Sequence, residues 1–241
     1  MQPFEVTEIP SDYFFEYMTP YTLIDISEKL SPEELTAFIR SRYVENIPFI
    51  FKKQPLIYET MRSWLARELK VNPSEIVTIG SAKLGFSPAP HPDFGKLFTP
   101  QSDLDLTVIS EKLFNNLVET YETWADEFSL GKTKPNNPTE ESYWKENTRW
   151  LPTCIQKGFI DPNKIPNRYE TSKHISQKLW ALKGRLSASD ERLIFRKCSL
   201  RIYKDWSSFS KQLMTNLNKA LTTLQPKNKV LLATRTLPDT W

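Results

Sequence analysis

Ser102-Asp103-Leu104-Asp105-Leu106-Thr107-Val108-Ile109 is the stretch on which the fold turns, and it answers an earlier one, Glu75-Ile76-Val77-Thr78-Ile79-Gly80-Ser81. Each is a short apolar, β-branched run bounded by polar or turn residues, which reads as a buried strand. Alternate strand residues share a face, so Asp103 and Asp105 project side by side. Carboxylates held that closely repel unless a cation lies between them. Mg²⁺ is usually bound by one or two carboxylates plus substrate phosphates. At the end of the first strand, Gly80 lets a phosphate approach the backbone. The Ser81 hydroxyl and the free N–H groups of the turn can hold it.

Working outward, Ser31-Pro32-Glu33-Glu34 is a capping box that starts a helix over residues 32–43. Ile57, Met61, Trp64, Leu65 and Leu69 recur at helical spacing over 56–70. Pro-rich residues 87–101 form a long loop, and helices are predicted over 111–128, 140–157 and 170–185. Residues 195–205 read as a third strand, with Leu200 and Ile202 on one face and Arg201, Tyr203 and Asp205 on the other. A closing helix over 206–224 leads to a tail from Gln225. The fold class is therefore α/β (α+β), a small mixed sheet flanked by helices. Its expected divisions are an N-terminal helical extension (1–54), a core (55–130) and a helical insertion with the third strand and closing helix (131–241).

The 241 residues suffice to bury a sizeable core, and 7 Trp, 9 Tyr and 14 Phe argue against disorder. A net charge of +3 does not by itself announce a nucleic-acid partner. Cys154 and Cys198 read as reduced thiols. With no signal-peptide pattern and no apolar run of membrane-spanning length, the expectation is a cytoplasmic chain without a membrane partner. The two histidines, His91 and His174, have no ligand-spaced neighbours, so zinc or histidine-nucleophile chemistry has little support.

Gly80-Ser81 followed by Asp103-Leu104-Asp105-Leu106 resembles the signature of the DNA polymerase β-type nucleotidyltransferases. The resemblance covers mainly residues 75–130. It implies a nucleoside triphosphate donor and Mg²⁺ or Mn²⁺, with Gly80 and Ser81 on the donor phosphates and Asp103 and Asp105 on metal. Ser102, Lys83 and Arg201 are further candidate nucleotide contacts. Twenty-two positions separate Ser81 from Asp103, roughly twice the spacing usual in that superfamily, and the surplus loop 86–100 is a candidate lid or acceptor-binding insertion. A third carboxylate is expected on a later strand, and Asp205 is the candidate for it.

The expected activity is transfer of a nucleotidyl group to RNA, a protein or a small molecule. The alternative is a catalytically silent module of the same fold that binds nucleotide or a partner. The run Arg192, Arg196, Lys197, Arg201 and Lys204, near Tyr203 and Trp206, suits a phosphate-bearing acceptor. It equally suits a solvated outer face. Asp161-Pro162-Asn163 reads as turn chemistry.

Overall fold

Both strands flanking the Gly-Ser turn form, and they pair. In the computed structural model, which describes residues 6–15, 17–90 and 92–223, β1 (Ile76–Ile79) lies antiparallel to β2 (Leu104–Ile109), with Ile79 opposite Asp105. His91, Leu224 and the tail from Gln225 lie outside the described residues. β2 runs parallel to β4 (Cys198–Tyr203), and a two-residue strand, β3 (Phe159–Ile160), adds antiparallel to β4, giving the order β1-β2-β4-β3. A parallel pair needs a long crossover. Here α6 (Glu111–Ser129), α7 (Pro138–Gln156) and α8 (Glu170–Ser189) supply it.

Helix starts follow local chemistry. Ser31 accepts from the Glu34 N–H at 3.3 Å while its own N–H donates to Glu34 Oε2 at 2.9 Å, the anticipated capping box at the head of α3 (Pro32–Val44). Asn137 caps α7 through the Glu140 N–H at 2.9 Å. α4 (Pro55–Leu69) follows its apolar spacing and ends on Lys70, whose φ of 56° is the αL geometry of a helix stop. Two N-terminal helices, α1 (Asp12–Phe15) and α2 (Pro20–Lys29), fall within the expected helical extension, although no sequence signal bounds them individually.

The sheet's two faces are treated differently. Ile76, Leu104, Leu106, Val108, Leu200, Ile202 and Ile160 point into the main core, against α4, α6, α7 and α8. On the opposite face Val77, Ile109, Phe159 and Tyr203 meet Phe209 of α9 (Trp206–Thr222), which covers one end of the sheet only. A second cluster joins Leu23 and Ile26 of α2, Phe38 and Ile39 of α3, Leu84, Phe86, Phe94 and Leu217 of α9. The N-terminal helices and the closing helix therefore wrap the segment that follows the Gly-Ser turn. Among the described residues no helix is long and apolar enough to cross a membrane. Cys154 and Cys198 are unpaired.

Candidate functional site

Strand direction brings the chemistry together. Because β2 and β4 are parallel and β1 is antiparallel to β2, the C-terminal end of β1 meets the N-terminal ends of the other two strands. Register then sets one row of side chains on the face that α9 partly covers: Ile79, Asp105 and Ser199, with Thr107 and Arg201 one step along. Asp103 and Lys197 precede that row on the same face.

The turn after β1 is α5 (Gly80–Leu84), with Gly80 at φ 67°. A Cβ added at Gly80 would lie 3.1 Å from Asp105 Oδ2. The glycine thus serves twice: it supplies the left-handed conformation, and it lets a carboxylate rest on the turn. Ser199 Oγ donates to Asp105 Oδ1. Burial pushes the Asp105 carboxyl above its ordinary value, the Ser199 hydrogen bond works against that, and the negative charge of Asp103 adds to it. Asp105 is thus a partly buried carboxylate with a hydroxyl partner and, among the described residues, no cation in contact.

Asp103 differs. Arg196 Nε and Nη2 donate to its two oxygens at 2.9 and 2.8 Å, and Lys197 Nζ stands 3.9 Å away. The hydrogen bond and charge of Asp103 raise the Arg196 guanidinium. Arg196 is 63% exposed, so the pair is a surface one, weakened by solvent screening.

Arg201 does stand on the site face, but its guanidinium is already engaged. It donates to both oxygens of Asp161 at 2.6 and 2.8 Å and lies over the Phe159 ring, 4.4 Å from the centroid. Burial alone would lower this guanidinium, and the Asp161 carboxylate outweighs it and raises it.

Two cavities line this face, and a third adjoins them at the edge between β4 and α8. One of about 310 Å³ is bounded by Gly80, Ser81, Ser87–Pro90, Asp105 and, from α9, Leu213, Asn216 and Leu217. A second of about 300 Å³ continues from Ile79 and Asp105 to Asp161, Lys164, Ser199 and Arg201. A third of about 270 Å³ shares Asn163, Ser199 and Leu200 with the second and extends to Trp180. The surplus loop forms a wall of the first cavity. It is closed on itself, with the Ser87 N–H on Lys96 O at 2.8 Å and the Phe98 N–H on Gly85 O at 2.8 Å.

Three sequence-level candidates stand elsewhere. Asp205 is at the far end of β4, where it caps α9 by accepting from the Ser208 N–H at 2.7 Å; it is not a third acid beside Asp105. The strand ends at Tyr203, so the residue two positions on belongs to the next helix. Lys83 is 2% exposed, its amine donates to Asn46 O, and it lines none of the cavities described here. It lies on the inward side of the one-turn helix that Gly80 begins. Ser102 shapes the turn into β2, accepting from the Thr99 N–H at 3.0 Å. His174 stands away from the site and contacts Glu68 O at 3.0 Å; His91 falls outside the described residues.

Ser199 is not among the sequence candidates, and Asp161 enters there only as turn chemistry. Running the alternation of β4 backward from Arg201 reaches Ser199, so that signal was available. Asp161 depends on a two-residue strand that no pattern announces.

The donor set can be weighed against a divalent ion directly. Among the described residues no three His, Cys, Asp or Glu side chains gather as a metal site. Asp103 and Asp105 alone fit a single Mg²⁺ or Mn²⁺ completed by phosphates and water, once Arg196 has released Asp103. They do not fit two ions. Comparisons with protein-family models, with curated proteins and with solved structures gave no match.

Proposed function

We propose that this chain binds a nucleoside triphosphate with one Mg²⁺ or Mn²⁺ ion and transfers its nucleotidyl group to an acceptor hydroxyl, releasing pyrophosphate. One observation carries the reading: the Asp105 carboxylate rests on the left-handed Gly80 turn, partly buried and, among the described residues, with no cation in contact, at the edge of a cavity. A phosphate approaching Gly80-Ser81 would meet backbone N–H groups and the Ser81 hydroxyl, and the adjoining carboxylates call for a cation to offset them. When bound, that ion neutralises phosphate charge. Asp103 and Asp105 would hold it, Ser199 orients Asp105 by its hydrogen bond, and the Ser87–Pro90 wall shields the donor from bulk water. RNA, a protein side chain and a small molecule are the acceptor classes. We assign a cytoplasmic setting, where Cys154 and Cys198 stay reduced.

A second reading, a silent nucleotide-binding module, is favoured by the Arg196 clamp on Asp103 and by Arg201–Asp161 lying where a further metal-binding acid is wanted. Incubation with each labelled triphosphate and Mn²⁺ separates the two. Pyrophosphate release that Asp105→Asn abolishes supports transfer. Calorimetric binding without any product supports the module, and neither binding nor turnover overturns both.

A further inference from the structure

The third cavity is not used by the donor chemistry, and its lining has a definite character. Ile175, Leu179, Cys198 and Leu200 make an apolar floor, Lys183 and Lys197 stand at the rim, and among the described residues no acidic side chain lines it. Trp180 flanks it while remaining 82% exposed, although an indole of that size is ordinarily buried. Burial pushes the Cys198 thiol up to about 12, so this cavity offers no nucleophile of its own. Lys183 is steered by the Arg196 carbonyl, and its charge stays available to an anion. Asn163, Ser199 and Leu200 are shared with the cavity that reaches Asp105, so an occupant would lead into the candidate site.

We propose that this cavity binds a nucleotide unit, with its base stacked on Trp180 and its phosphate on Lys197 and Lys183. A flat ring with an exposed indole to stack on, two cations and no acid is the combination that favours a base attached to phosphate. An acidic peptide would use the lysines and leave the indole bare. An apolar peptide would use the indole and leave two lysines desolvated. The nucleotide is either free or the end of a single strand. That it serves as the acceptor rests on the proposed nucleotidyl transfer; that it binds does not.

The experiment is a calorimetric titration of the full chain with AMP in one arm and a five-nucleotide single-stranded RNA in the other, in the absence of divalent ions. Saturable binding of at least one ligand is expected, weakened about 5- to 100-fold by Trp180→Ala and largely restored by Trp180→Phe. Because Trp180 is exposed, the Trp180→Ala protein should keep its thermal midpoint, which separates lost stacking from lost folding. Binding of RNA but not AMP identifies a strand end as the occupant, and equal affinity per nucleotide identifies a free nucleotide. No binding of either, or binding indifferent to Trp180→Ala, overturns the proposal. The two readings fail separately: nucleotide binding at Trp180 with no pyrophosphate release defeats only the transferase, and release while neither AMP nor the RNA binds through Trp180 defeats only this site.

Discussion

Asp105 and Asp103 are the same residue type two positions apart, yet their surroundings give them different tasks. Burial raises the Asp105 carboxyl, so the fold gives this group stability at low pH that is lost as pH rises through its folded value. Asp105→Asn should therefore be at least as stable as the parent at pH 7 and lose that advantage near pH 4, read by urea denaturation. The same substitution should weaken triphosphate–Mn²⁺ binding by about 10- to 100-fold, the loss of one charged contact. Asp103 already has a cation. Removing it with Arg196→Ala should tighten Mn²⁺ binding by about two- to fivefold, since an exposed pair holds the carboxylate only weakly. Mn²⁺ affinity unchanged in Asp103→Asn would exclude Asp103 as a ligand. The centre of the site was legible because strand alternation and a glycine at a strand end are local signals. Its engagement was not. Which arginine closes on which acid depends on register across residues 93 positions apart for Arg196–Asp103 and 40 for Arg201–Asp161.

At the scale of elements, the sheet depends on a close approach that sequence spacing does not reveal. Gly158, at φ 77°, separates α7 from β3, and a Cβ there would lie 2.2 Å from Ser208 Oγ and 2.7 Å from Ser208 Cβ. Ser208 is in the first turn of α9, so Gly158→Ala must displace that turn from the β3 connection. With the left-handed conformation added, the cost should be about 2–4 kcal/mol, measured by urea unfolding. The Gly158→Ala, Ser208→Gly pair should recover part of it. Helices α3, α4 and α6 and strand β2 followed their sequence signals because capping residues, apolar spacing and β-branched runs lie within each element. β3 and α2 did not. A two-residue strand has no period to read, and α2 holds its place through Leu23 and Ile26 packing on partners from α3, the loop after α5 and α9. The third strand was found but drawn too long, which carried Asp205 onto the wrong side of a helix cap.

Across the whole molecule, one buried cation ties the site to the N-terminal helices. Lys83 leaves the Gly80 turn inward, donates to Asn46 O, and is held down to about 7 by burial, with Arg42 and Arg62 adding to the effect. An ordinary lysine titrates near 10.4, so between that value and about 7 the unfolded chain binds a proton that the folded chain does not. Lys83 therefore costs nothing above pH ~10.4 and lowers stability as pH falls, by about 1.4 kcal/mol per unit until the folded amine protonates too. Cys154 and Cys198 act in the opposite direction. Burial raises them to about 11 and about 12, so their contribution is lost as pH climbs past the ordinary thiol range. The parent's stability curve mixes these effects, whereas the difference between parent and Lys83→Met cancels the thiols. That difference should favour Lys83→Met most at pH 6, shrink steadily from about 7 to 10, and level off beyond. A difference that stays flat across this range would mean the amine reaches solvent and keeps its proton. The link between the turn and the Asn46 segment would then have to rest on the Leu84 and Phe86 packing alone.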